Sequence, residues 1–137
     1  MRLISLLVAG GALASCTTGP PVPTMRTAEN EHALQALVAG KVAQAPLSCL
    51  PHYRSEDMRV IDEETVAFRD GPRRTYVGHL AGGCNHLGRP GYAIVTRKVG
   101  TTDLCRGDIA RVVDTQNGFT VGSCVFGDFV PYYLPGA

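Results

Sequence analysis

The chain has no tryptophan and few other aromatics, five tyrosines and four phenylalanines in 137 residues. It has no excess of charge either, since 13 Lys and Arg stand against 12 Asp and Glu. Near-neutrality excludes the basic footprint expected of a nucleic-acid binder. No C-x-x-C pair occurs. Cys49, Cys84, Cys105 and Cys124 stand 35, 21 and 19 residues apart, and His52, His79 and His86 show no ligand spacing, so neither a metal nor a cofactor is expected. Gly82-Gly83 leads into a cysteine rather than a lysine and a helix, which removes a phosphate loop. Carboxylates are scattered, without the pairing a glycosidase reading needs. The one apolar run, Leu3 to Ala14, is shorter than the roughly 20 residues of a membrane-spanning helix.

That run has a use of its own. Behind a single positive charge at Arg2, apolar residues and then small ones lay out an export signal, which is removed before folding. Two cleavage patterns overlap there. Ala12-Leu13-Ala14 fits ordinary secretory cleavage and would leave Cys16 as a loose thiol. Leu13-Ala14-Ser15-Cys16 resembles the lipobox of bacterial lipoproteins, in which the cysteine takes a diacylglyceryl group and becomes the first residue of the mature chain. Parity favours the second. Five cysteines are an odd number, and giving Cys16 to lipid leaves four for two disulfides in an oxidising compartment. Two acyl chains also anchor stably where one binds only marginally. The expected layout is a lipoprotein signal peptide over 1–15 and a lipid-anchored tether over 16–27, rich in proline and threonine. Resemblance to lipoproteins further implies the outer membrane, because Thr17 rather than aspartate follows Cys16.

From residue 28 the character changes. Leu34, Leu37, Val38 and Val42 fall at i, i+3, i+4 and i+8, with Glu29 and Glu31 early, Lys41 late and Pro46 beyond, which predicts an amphipathic helix over 28–45. After it, MRVID from Met58, TVAF from Thr65, RTYVGHL from Arg74, YAIVTRK from Tyr92, IARVVD from Ile109 and FTVGSCVF from Phe119 read as short strands. Residues 46–137 are therefore expected to form a mainly β domain, a small antiparallel barrel or sandwich of about six strands, braced by two disulfides. Asp70-Gly71 and Asn117-Gly118 mark tight hairpin turns. A two-residue turn at Asn117-Gly118 places Arg111 opposite Cys124 and makes Cys105 and Cys124 poor partners. Two connectivities remain, Cys49–Cys124 with Cys84–Cys105, or Cys49–Cys105 with Cys84–Cys124. The first is preferred, because Cys84 and Cys105 flank YAIVTRK while Cys49 and Cys124 would tie the ends of the domain.

Chemistry is sparse. Cys84-Asn85-His86 brings a nucleophile and a base close in sequence, and a small hydrolase or thiol/redox enzyme using Cys84 and His86 is the alternative function. An exported cysteine with three possible partners points to a disulfide instead, and no catalytic residue is assigned. Arg106-Gly107-Asp108 reads as a turn whose aspartate binds local backbone, rather than as an adhesion tripeptide. Arg73, Arg74, Arg89, Arg97 and Lys98 are candidates to gather at one end of the barrel against an anionic envelope polymer, although solvated strand-edge charge is the plainer use. Phe129, Tyr132 and Tyr133 in the tail GDFVPYY are candidate aromatic contacts for a sugar or a partner loop, or else a cover for the barrel mouth.

LSCLP, VIDEETVAFRDG, LAGGC, YAIVTR, LCRGDIARVVD and FTVGSCVFGDFVPY resemble a family of small exported proteins of unknown function from proteobacteria, notably sphingomonads. The resemblance runs from about Leu34 to Tyr133 and implies an envelope location and a shared four-cysteine domain. It carries over no catalytic residue. The sequence thus points to a lipid-anchored envelope protein facing the periplasm, a non-enzymatic binding or structural module, with an accessory or inhibitory subunit of another envelope protein as a further alternative.

Overall fold

Residues 26–51, 57–97 and 103–136 are described in the structure, a computed structural model. The expected signal peptide, Cys16 and the chain up to residue 25 lie outside the described residues, as does Lys98.

Helix α1 spans Ala28–Val38 and starts where the extended Thr27 accepts a hydrogen bond from Asn30 N at 3.2 Å, satisfying one first-turn N–H. Glu29 and Glu31 in that turn suit the helix dipole. The helix does not run to residue 45. Gly40 takes a left-handed φ of 71°, which ends it, and Val42–Ala43 becomes strand β1. Val42, the last residue of the expected apolar stripe, pairs with Tyr133 instead.

The remaining strands are β2 Cys49–Leu50, β3 Met58–Asp62, β4 Thr65–Asp70, β5 Arg74–Gly83, β6 Tyr92–Thr96, β7 Leu104–Cys105, β8 Ile109–Asp114 and β9 Thr120–Tyr133. One antiparallel sheet has the order β3-β4-β5-β9-β8-β6, with β1 joined to β9, while β2 and β7 form a ribbon of their own. Because β9 returns between β5 and β8, these strands and β6 lie in Greek-key order. The fold is mainly β, and the sheet curls into half a barrel that stays open between β3 and β6.

Strand β9 is the spine of the fold. It pairs with β5 from Ser123 to Tyr133. Its other side is met in turn by β8, by Gly107 and Asp108 at Phe126, by Leu47 at Phe129 and by Gln44 at Pro131. Proline is tolerated in this central strand because the Pro131 carbonyl accepts from Gln44 N at 2.8 Å. The N–H it lacks would point the same way, so the β5 ladder loses nothing. Opposite His79, Gly127 and Asp128 form a bulge, since Gly78 pairs with Phe129 and Leu80 with Phe126. The extra residue switches the inward parity of β9. Cys124 and Phe126 face the core before it, Phe129, Pro131 and Tyr133 after it, and the strand bends as the half-barrel requires.

Neither marked turn is the expected two-residue hairpin. Asp70 pairs with Arg74 around Gly71-Pro72-Arg73. Asp114 N bonds to Phe119 O around a four-residue loop, and the Asp114 carboxylate accepts from Gln116 N and Asn117 Nδ2 to hold it. A second bulge at Val121 then sets Ala110, not Arg111, opposite Cys124.

Both disulfides form, but in the connectivity that was not preferred. Cys49 is bonded to Cys105 and Cys84 to Cys124. The reason is topological. Residues 84–91 carry the chain from β5 across β9 and β8 to β6 at the far edge, so YAIVTRK separates Cys84 from Cys105 instead of bringing them together. Cys84 follows Gly83, which pairs with Ser123 beside Cys124, and Cys49 pairs with Cys105 in the β2–β7 ribbon.

The core fills the concave side of the sheet. Val66, Phe68, Tyr76, Leu80, Val112, Phe126 and Phe129 come from its strands, Leu50 and Leu104 from the ribbon and Leu87 from the crossover. Phe129 sits edge-on to Phe68 and stacked on Phe126. Burial of a side chain of this size stabilises by about 1.5–3 kcal/mol. On the convex side, α1 lies against β3 and β4, over the buried Thr65, Ala67, Thr75 and Val77. Strands β4 and β5 are thus covered on both faces. Towards β6 and β8 the convex face is bare, and Val95, Ile109 and Val125 are 40–51% exposed.

Candidate functional site

The structure scatters most of the residues singled out in the sequence. Arg73 and Arg74 lie at the β4–β5 turn, Arg89 lies beyond the opposite end of β5, and Arg97 follows β6, which β9 and β8 separate from β5. No gathering of these arginines at one end exists among the described residues. Phe129 is fully buried and offers no face to a ligand. Tyr133 is half-buried, 6.1 Å from Tyr76 and edge-on, with Arg74 5.5 Å above its ring. Tyr132, also half-buried, pairs with Thr75 and Ala43. Aromatics of the tail therefore belong to the core and its margin.

Cys84 and His86 do not form a nucleophile and base. The Cys84 sulfur is bonded to Cys124, and both residues are 2% exposed. His86, at a left-handed φ of 68°, stacks on Tyr92 with ring centroids 5.0 Å apart. Its backbone N–H donates to Glu63 Oε1 at 2.9 Å, and Arg89 is 3.8 Å from the same carboxylate. The crossover is thereby fastened to the β3–β4 turn and holds Leu87 in the core. Arg106-Gly107-Asp108 is a turn in which Asp108 Oδ2 accepts from Cys105 N at 2.7 Å, and Arg106 pairs with Asp128 at 3.1 Å.

A different arrangement emerges under α1. No residue of this helix is buried. Leu34, Leu37 and Val38 are half-buried against the sheet, and polar ties fix both ends. At the start, Arg26 donates to Asp62 at 2.6 Å and to Thr65 Oγ1 at 2.7 Å, and pairs with Glu31 at 3.1 Å. A hydrogen bond from Gln35 and then the Arg26 guanidinium hold the Glu31 carboxyl below its ordinary value. At the other end, Thr75 Oγ1 and Lys41 Nζ both donate to Leu37 O, at 3.0 and 2.8 Å. Between these ties lies a groove of about 460 Å³, walled by α1, by β3 and by the β4–β5 turn.

Its chemistry is two-sided. Ala33, Ala36 and Leu37 of α1 face Ile61 of β3 and Pro72 of the turn, and the two alanines leave the hollow that larger side chains would fill. Lys41, Arg59 and Arg69 line the same groove. Around the turn, Arg73 and Arg74 line a neighbouring hollow with Asp70 and Pro72. Arg69 makes no ion pair among the described residues. The volume lies within the roughly 300–1,000 Å³ typical of small-molecule sites. Sequence reading missed this groove because its residues come from three segments, and the expectation of a helix to 45 put Lys41 inside the helix instead of at the rim.

Set against protein families, characterised proteins and solved structures, the chain matches none of them. Among the described residues no helix is long and apolar enough to cross a membrane, and no three His, Cys, Asp or Glu side chains converge as a metal site would need. The two disulfides indicate an oxidising setting outside the cytoplasm.

Proposed function

We propose that this chain is a lipid-anchored protein of the cell envelope, outer-membrane bound and facing the periplasm, whose folded domain is a non-enzymatic binding module presenting the groove beneath α1. The observation that carries the reading is the pairing of four cysteines within the domain. Cys16 is then the one cysteine left over, and it stands in the lipobox pattern Leu13-Ala14-Ser15-Cys16. A thiol enzyme centred on Cys84 is disfavoured, since its sulfur is committed to Cys124 and screened from reagents.

The test is fractionation. Wild-type protein expressed with its own leader should sediment with membranes and incorporate labelled palmitate, whereas Cys16→Ser should do neither. Soluble, unlabelled wild-type protein would overturn the anchor. Native protein treated with a thiol-alkylating reagent should take up none at Cys84, and prompt stoichiometric labelling there would restore the enzymatic alternative.

A further inference from the structure

The groove beside α1 combines an apolar floor with a cationic rim. Leu34, Leu37 and Val38 of α1 are half-buried against the sheet, while Ala33 and Ala36 on its flank are exposed and line a hollow shared with β3 and the β4–β5 turn. Floor and rim differ in kind. The floor is hydrocarbon, from Ala33, Ala36, Leu37 and Ile61, while three cations, Lys41, Arg59 and Arg69, stand around it. Asp57 lines a smaller hollow with Arg59 and Arg69, and Asp70 stands 3.8 Å from Arg74, so these two acids face Lys41 and four arginines, and positive charge predominates. An acyl chain matches the floor, which holds no carboxylate, and an anionic head matches the rim.

We propose that this groove binds a single-chain anionic lipid, its tail lying along Ala33, Ala36 and Ile61 and its phosphate or carboxylate set against Lys41, Arg59 and Arg69. This rests on the binding-module reading and names the ligand class. Position supports the choice. Arg26 at the foot of α1 comes ten positions after Cys16, and a fully extended chain covers about 3.3–3.6 Å per residue. An anchored Cys16 would therefore keep the groove within about 35 Å of a lipid surface, where such molecules arise. Because the groove opens along the exposed flank of α1, a tail can lie against Ala33 and Ala36 without breaking the ties to Asp62, Thr65 and Thr75.

The experiment uses the full chain carrying Cys16→Ser, which removes any acyl chain of its own and makes the result independent of the anchor. Dodecyl phosphate, kept below its micellar concentration, is titrated calorimetrically against the protein, with dodecanol and inorganic phosphate as the tail-only and head-only probes. Dodecyl phosphate should bind at one site, and each partial probe at least about tenfold more weakly. Arg69→Glu, at an exposed position, should weaken dodecyl phosphate about tenfold, and Ala36→Trp should abolish binding by filling the floor. Both variants are checked for an unchanged circular dichroism spectrum. Should Ala36→Trp fail that check, Arg69→Glu decides alone. Absence of dodecyl phosphate binding, equal binding of phosphate or of dodecanol, or binding untouched by Arg69→Glu would each overturn the proposal. Should the Cys16→Ser protein bind no dodecyl phosphate while wild type is recovered acylated, the lipid groove falls and the envelope anchor stands.

Discussion

The two disulfides should open one at a time, and in a fixed order. Cys49 is exposed and Cys105 half-buried, whereas Cys84 and Cys124 are each 2% exposed within the core. A reductant therefore meets the ribbon bridge first. The bridges span 56 and 40 residues of chain, and at those lengths each restricts the unfolded ensemble by about 4 kcal/mol. Replacing Cys84 and Cys124 by alanine adds a cavity term, because two sulfurs leave the packed interior, of about 1 kcal/mol or more. The total is a large part of the roughly 5–15 kcal/mol that holds a domain together. With a shift of roughly 4 °C per kcal/mol for a chain of this size, Cys49→Ala/Cys105→Ala should lower the melting temperature by about 15 °C and Cys84→Ala/Cys124→Ala by about 20 °C. Circular dichroism melts of the two double variants measure this. Timed quenching with an alkylating reagent and peptide mapping track the order of reduction. Double variants melting within about 4 °C of wild type, or Cys84–Cys124 opening before Cys49–Cys105, would refute the reasoning.

Phe129→Ala should cost about 3–5 kcal/mol by chemical denaturation, because the residue is wholly buried, while Phe119→Ala at 70% exposure should cost less than about 0.5 kcal/mol; the reverse order would mean that the tail, not the β8–β9 loop, faces solvent. A methyl group added by Gly122→Ala would stand 2.6 Å from Gly83 O and 3.0 Å from Asn85 N, so backbone must move, at about 1–3 kcal/mol; wild-type stability in that variant would contradict the close approach of β9 to the crossover. Desolvation first, and the hydrogen bond with Tyr133 second, raise the Tyr76 hydroxyl above the ordinary phenol range. Above about pH 10 the unfolded chain releases this proton while the folded chain keeps it, so stability should fall as pH rises from there, less steeply in Tyr76→Phe. Ultraviolet titration that finds all five tyrosines ionising together in the native protein would argue against a buried Tyr76.

How much of this could be read from the residues depended on local regularity. Each expected run in MRVID, TVAF, RTYVGHL, YAIVTRK, IARVVD and FTVGSCVF is strand in whole or large part, because alternation with β-branched residues is a local signal. The second half of β9 was hidden by its own chemistry. Gly127 and Pro131 look like breakers, and the bulge at Gly127-Asp128 shifts the apolar alternation by one residue, so Phe126 and Phe129 seem out of phase although both face the core. Disulfide pairing failed at a longer range. Asn117-Gly118 forms part of a four-residue loop followed by a bulge, and the decisive fact, that the 84–91 crossover carries β6 to the far edge, leaves no local mark. Gly40 was visible as a weak point in α1, yet whether a glycine bends a helix or ends it depends on where the next residues find partners, here the pairing of Val42 with Tyr133. The groove escaped notice for the same reason as the pairing, since α1, β3 and the β4–β5 turn meet only in three dimensions.

Intact-mass spectrometry of wild-type protein extracted from membranes, before and after reduction, tests most directly whether one cysteine carries lipid while four brace the domain. The expected mass is that of a chain beginning at Cys16 with its acyl groups, increasing by four hydrogens on reduction as both bridges open. A chain beginning at Ser15 without lipid, or one whose mass reduction leaves unchanged, would contradict it.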